Sequence, residues 1–236
     1  MINKETPFRN SLIGLLERNL ITNKEINELY KDYQLIERAW FSNFENNLDT
    51  IKLILISEAP QSFDNFIYNK HKDDKDSAFL RINDLKECLK RSNEEFLEFE
   101  NIGKIKLMGK LGIVVLDIFP FPFSPTHKFN YKNQDHQTKR IIIKPSRKHE
   151  ELLRELHFKS RSWYLSEKID KINTKISSNV VYAYRYKRNR DLDLDIYPGK
   201  EIDSFHSDGM HINTEKLYKV FKSPHNNINH NFIDNH

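Results

Sequence analysis

Cysteine is nearly absent from this 236-residue chain, Cys88 being the only one. An intramolecular disulfide is therefore excluded, which fits a reducing compartment, and Cys88 reads as a buried, unreactive thiol. Long apolar runs are missing too. The longest, around Leu53–Ile56 and Ile113–Leu116, fall far short of a membrane span. Met1 to Asn10 is polar and lacks the apolar core of a secretion signal. These absences predict a cytoplasmic protein with no membrane contact. The net charge is only +4 with histidine neutral, so the total does not point to nucleic acid. There is no internal repeat, and no HxH pair of the kind that announces a metal site.

What the chain does contain suits a single domain. The hydrophobic fraction is 38% and the charged fraction 31%, enough apolar material for a core under a heavily charged surface. The reading is one domain over residues 1–222, with a basic insertion near 127–149 and a disordered Asn- and His-rich tail over 223–236. Charge is unevenly spread. His127–Glu150 holds seven basic residues, Arg147 and Lys148 among them, against Asp135 and Glu150. A second cluster, Arg185, Lys187, Arg188 and Arg190, is interleaved with Tyr184 and Tyr186. Such clusters read either as phosphate-binding surfaces or as solvated faces.

Periodicity predicts the elements. Pro7–Leu20 reads as a helix, and Thr22 with Glu25 makes a capping-box signature for a second one running to about Trp40. Ile51–Ile56 is a short apolar run stopped by Ser57-Glu58-Ala59-Pro60, the pattern of a buried parallel strand. Ser77–Asn101 reads as mostly helical, with a second capping box at Ser92 and Glu95. Gly112–Asp117 reads as another buried strand. Phe119 to Pro125 carries three prolines and must be a loop leaving that strand. A helix from Ser146 to about Ile176, a strand at Val180–Tyr184, a fourth strand ending near Asp203–Phe205 and a helix from Thr214 to Phe221 complete the series.

Strands alternating with helices predict an α/β fold: a three-layer α/β/α sandwich around a mainly parallel sheet of about four strands. Ligands of such sheets bind outside the carboxyl ends of the strands. Three polar elements fall there: Ser57–Gln61, Asp117–Pro125 and His206–Gly209.

In this order the three elements resemble the uracil-DNA glycosylase superfamily. Ser57-Glu58-Ala59-Pro60-Gln61 is similar to a version of the family's water-positioning motif that reads Gly-Glu-Ala-Pro-Gly. Gly112-Ile113-Val114-Val115-Leu116-Asp117 is similar to a strand reading Gly-Val-Leu-Leu-Leu-Asn, whose Asn reads the base. His206-Ser207-Asp208-Gly209 stands for a motif that begins His-Pro-Ser. The resemblance spans about residues 51–222 and implies a glycosylase that cleaves the N-glycosidic bond of a damaged or modified base, in DNA repair or in defence against modified foreign DNA. It implies DNA as partner, no cofactor and no metal.

The resemblance also implies roles. Glu58 would orient water and stabilise the cationic sugar, and His206, with His211 as rival, would donate to the base oxygen that becomes anionic. Asp117 would read the base, with Pro60, Gln61 and Asp208 bordering it and Phe66, Tyr68 or Phe79 stacking on it once it has left the helix. Lys187, Arg188, Arg190, Arg147 and Lys148 would hold phosphates. Each has a plainer reading: Glu58 and Asp117 as helix caps, the histidines as surface residues, the aromatics as core. An ionised Asp117 only accepts hydrogen bonds, so it complements an exocyclic amine such as cytosine's rather than a uracil carbonyl. The chain departs from the family where Ser57 and Gln61 replace glycines, where Ala59 stands in the place of an Asp, and where Ser207-Asp208 replaces Pro-Ser. The last puts a negative charge near DNA phosphate, the ground for a second reading as a non-catalytic nucleic-acid binder. A metal-dependent phosphoesterase using Glu58, Asp117, Asp208 and a histidine is the third.

Overall fold

Four consecutive residues, Leu53 to Ile56, are all at 0% exposure. Successive strand residues point to opposite faces, so burial of every one means that both faces of this strand are covered. A computed structural model of the chain describes residues 4–60, 62–70, 80–91, 102–123, 147–185, 190, 197–202 and 214–221, the side chains of 65 and 147–150 excepted. Within them, strand β1 (Ile51–Ser57) lies inside a four-stranded sheet with β2 (Ile113–Asp117), β3 (Ile176–Tyr184) and β4 (Lys200–Glu201). The order is β2-β1-β3-β4 and every pairing is parallel. The expected α/β fold is therefore the observed one.

The helices are α1 (Glu5–Glu17), α2 (Asn23–Asn47), α3 (Ile82–Arg91), α4 (Lys104–Leu111), α5 (Arg147–Asn173) and α6 (Thr214–Phe221). The capping box that opens α2 is complete. The Thr22 hydroxyl accepts from the Glu25 N–H at 3.2 Å, and Glu25 accepts from the Thr22 N–H at 2.8 Å. Burial pushes the Cys88 thiol up to about 12, so it stays protonated and inert.

Several boundaries differ from the sequence reading, α2 among them, which runs on to Asn47 rather than ending near Trp40. The helix expected over Ser77–Asn101 is described only as Ile82–Arg91; Ser92 and Glu95 lie outside the described residues. Helix α4 was not expected. Gly112 belongs to its end rather than to β2, with φ 72° in the left-handed region and its N–H on the Gly109 carbonyl at 3.0 Å. Strand β3 begins at Ile176, but its continuous ladder starts at Val181, after a register break. The fourth strand is Lys200–Glu201, ahead of the position expected for it; residues 203–213 lie outside the described ones.

Strand β2 ends the sheet, and its outer edge is closed by side chains. Val115 turns both backbone groups away from β1. Its N–H donates to the Tyr68 hydroxyl at 2.6 Å, and its carbonyl accepts from the Trp40 indole N–H at 2.9 Å. Two aromatics thus satisfy an edge that would otherwise carry buried, unpaired groups. The Pro-rich segment after β2 is fixed in the same way. Phe119 and Phe121 are fully buried, Phe121 against Phe8 of α1 at 5.4 Å and Phe119 against His157 of α5 at 5.9 Å.

Gly112 carries the direct passage from α4 into β2. A Cβ there would overlap the Thr50 carbonyl oxygen, and the left-handed φ alone costs an L-residue about 1–2 kcal/mol. Gly112→Ala is expected to lower stability by at least that amount in urea melts, whereas Gly199→Ala, at a positive φ on the far side of the sheet, should leave the α4–β2 passage intact by hydrogen exchange at β2.

Candidate functional site

Strand order fixes where a ligand fits. The chain leaves β1 toward β2 on one side and leaves β3 toward β4 on the other. The crevice between these diverging connections opens at the carboxyl ends of β1 and β3. Ser57 and Glu58 end β1, Asp117 ends β2 in register with Ser57, and Tyr184 and Arg185 end β3. The pairing continues past the strands: Ile118 N–H donates to the Ser57 carbonyl and Phe119 N–H to the Glu58 carbonyl, both at 2.9 Å, and Arg185 N–H to the Ile56 carbonyl at 2.7 Å. These bonds fix the backbone under each polar side chain.

Two carboxylic acids are buried at this end, Glu58 at 5% exposure and Asp117 at 6%. Burial raises the Asp117 carboxyl to about 6. The Lys168 ammonium, a hydrogen bond from the Ser57 hydroxyl and the Arg185 guanidinium oppose that rise, and the Glu58 carboxylate adds to it. Near neutral pH Asp117 is thus mostly anionic, yet it takes a proton within a unit or so of physiological pH. Glu58 is not a helix cap: the next helical turn, Phe63–Asn65, has Ser62 at its cap position.

Sequence reasoning missed the charges behind Asp117. Lys168 of α5 is 1% exposed, 2.7 Å from a Glu37 carboxylate oxygen of α2 and 3.0 Å from the Tyr164 hydroxyl. Its ammonium also sits over the Trp40 and Tyr164 rings, 4.8 and 4.1 Å from their centroids. Glu37 reaches Lys4 at 3.2 Å, and Lys4 is ion-paired in turn with Glu167 near the surface. Burial pushes Glu37 up, but Lys168 and Lys4 outweigh it and hold the carboxyl below its ordinary value. Burial lowers Lys168, against the pull of Glu37 and Asp117. The signal for both was their phase. Glu37 falls between Tyr33, Ile36 and Trp40 on the buried face of α2, and Lys168 between Tyr164, Leu165 and Ile172 on that of α5. Arg185 was seen as part of a basic cluster and not as a neighbour of Asp117.

The other expected residues fall in three groups. Pro60, Phe66 and Tyr68 are buried, Phe66 edge-on to Tyr68 at 5.5 Å and Tyr68 bound to the β2 edge, so these two rings are packed into the core. Arg190 is exposed and pairs with Glu201 of β4 at 3.1 Å. Gln61, Phe79, Lys187, Arg188, His206, Asp208 and His211 lie outside the described residues, as do the side chains of Arg147 and Lys148, whose backbone opens α5. Among the described residues no three His, Cys, Asp or Glu side chains cluster to hold a metal, and no helix is long and apolar enough to cross a membrane. A cleft of about 570 Å³ lies at the far end of β1, between the end of α2 and α4, lined by Asn47, Asp49, Lys52, Lys106 and Lys110. It contains none of the strand-end residues.

The raised Asp117 carboxyl has a cost in stability. Its folded value lies above its unfolded one, so the native state holds the proton more tightly, and the contribution of Asp117 to stability is greatest below about pH 4 and falls as pH rises through 6. The cost at neutral pH is about 3 kcal/mol for a shift from 3.8 to about 6. Asp117→Asn is expected to recover up to that amount at pH 7.5 and little at pH 4, in urea melts of both proteins at each pH. A gain independent of pH would assign Asp117 an ordinary environment.

Comparison of the chain with family models, with curated proteins and with solved structures finds no match.

Proposed function

We propose that this protein is a DNA glycosylase that hydrolyses the N-glycosidic bond of a modified base bearing an exocyclic amine. One observation carries the reading: two carboxyl side chains, Glu58 and Asp117, are buried at the carboxyl ends of adjacent parallel strands, the end of the sheet where ligands of such folds bind. N-glycoside cleavage builds positive charge on the sugar and negative charge on the leaving base. A carboxylate held out of bulk water serves the first need, and Glu58 takes that role by orienting water and facing the developing cation. His206 takes the second by donating to the base.

Asp117 reads the base. As an anion it accepts from an amino group; protonated, it donates as well, as an Asn does. An anion set against a uracil carbonyl in a dry pocket leaves two acceptors facing each other, at about 1–3 kcal/mol or more. Arg185, beside Asp117 and at the head of the second basic cluster, supplies positive charge to the phosphate backbone, together with Lys187, Arg188 and Arg190. DNA is the partner in this reading.

A panel of oligonucleotides differing in one base, scored for alkali-labile abasic sites, is the direct test. Glu58→Gln is expected to reduce base release at least about 100-fold and leave DNA binding intact, since the amide keeps the shape but not the charge. Binding without release from any oligonucleotide would establish a nucleic-acid-binding protein instead.

The ratio of activity on uracil to activity on amino-bearing bases is expected to rise as pH falls from 7.5 to 5.5, because Asp117 gains its proton near 6. In Asp117→Asn that ratio should be high and independent of pH. A ratio unchanged by the substitution would remove Asp117 from base reading.

A further inference from the structure

A lysine with 1% exposure is rare unless it is paired, and Lys168 has more than one partner. Helix α5 ends two residues before β3 begins, so it runs back along the sheet and brings its last turns to the amino ends of the strands. Lys168 and Tyr164, one turn apart, lie further toward the carboxyl ends, within electrostatic reach of Asp117. The groups acting on Asp117 are Glu58 from the end of β1, Lys168 and Tyr164 from α5, Arg185 from the end of β3, and Tyr68 from the segment that closes the β2 edge. Lys168, the Ser57 hydroxyl and Arg185 all favour the anion.

Geometry holds the ammonium in place. Glu37 at 2.7 Å and the Tyr164 hydroxyl at 3.0 Å take two of its contacts, and the Trp40 and Tyr164 rings cover it. Trp40 is itself anchored to β2, two residues from Asp117, through the Val115 carbonyl. The ring that lies against the cation is thus hydrogen-bonded to the strand that carries Asp117.

We propose that Lys168 is a positioning residue for Asp117: held by Glu37, Tyr164 and Trp40, its buried ammonium keeps the carboxylate at the end of β2 charged and ready to accept from the ligand. The consequence for base choice rests on the function proposed above; the effect on Asp117 itself does not.

The test is the titration of the Asp117 side-chain carboxyl in the full chain, followed by carbon NMR and assigned by its loss in Asp117→Asn. Lys168→Met alone would strand Glu37 in the interior and can fail to fold, so the informative variant is Lys168→Met with Glu37→Gln, which removes both charges at nearly constant volume. The Asp117 midpoint is expected to rise in the double variant, because the cation that favours its anion is gone. Lys168→Arg, which keeps the charge, should stay close to wild type. Lys4→Met, which removes the outer partner of Glu37 and leaves Lys168, should do the same. An unmoved midpoint in the double variant overturns the proposal. A raised midpoint in a protein that releases no base keeps the role of Lys168 and sinks the glycosylase reading, while an unmoved midpoint in an active enzyme does the reverse.

Discussion

The ion pair between Lys168 and Glu37 is the constraint around which the interior is arranged. Neither charge is tolerable there alone: removing an ammonium or a carboxylate from water costs several kcal/mol, and only a close partner with further polar contacts offsets it. The 2.7 Å contact joins α2 to α5. Lys4 on the Glu37 side and Asp117 on the Lys168 side spread the charge over a chain that reaches from the amino terminus of α1 to the end of β2. A pair of apolar residues would hold the two helices at least as well, so stability does not account for it. What the pair supplies and apolar packing would not is a fixed positive charge behind a strand-end carboxylate.

Trp40 links this charge to the sheet. Its ring lies under the Lys168 ammonium and its indole N–H binds the Val115 carbonyl, while the Tyr68 hydroxyl takes the Val115 N–H. A single residue of β2 thus has both outward groups satisfied by aromatic side chains from separate segments. The edge strand is protected from pairing with another chain without a charged or proline-bearing edge. Its backbone, and with it Asp117 two residues further on, is held on both sides.

Strands β1 and β2 were legible because a run of apolar residues with an abrupt polar stop has few other readings in a chain of this charge. Since the stop is also the strand's carboxyl end, the same pattern that located the strands located Glu58 and Asp117. Helix α4 was not legible: Lys104–Leu111 is short, contains Gly109 and runs into β2 with no loop, so neither length nor punctuation separated it. Gly112, read as the first residue of a strand, ends that helix. Glu37 and Lys168 escaped for another reason. A charged residue on an amphipathic helix is assigned to the solvent face by default, and only its phase against Tyr33, Trp40, Tyr164 and Ile172 says otherwise. Tyr68 could be read as stacker or core, and the choice depended on a hydrogen bond to a strand 47 residues away, which no local pattern encodes.

Asp117 is the point at which the structure departs from what folding alone would select. Its position at the end of β2 needs a residue that fits beside Ser57, and an asparagine of the same size would do so without the desolvation that raises the carboxyl to about 6. Ser57, Arg185 and the Lys168–Glu37 pair offset part of that penalty, so an unfavourable acid sits inside an environment built to keep it anionic. Sites that break a local rule while their surroundings compensate are where function resides more often than elsewhere. With Glu58 at the end of the neighbouring strand, the compensated acid lies at the carboxyl end of the sheet, one strand away from the crevice that strand order marks. Topology and electrostatics arrive at the same end of the sheet by independent routes, because strand order takes no account of charge and burial takes no account of connection.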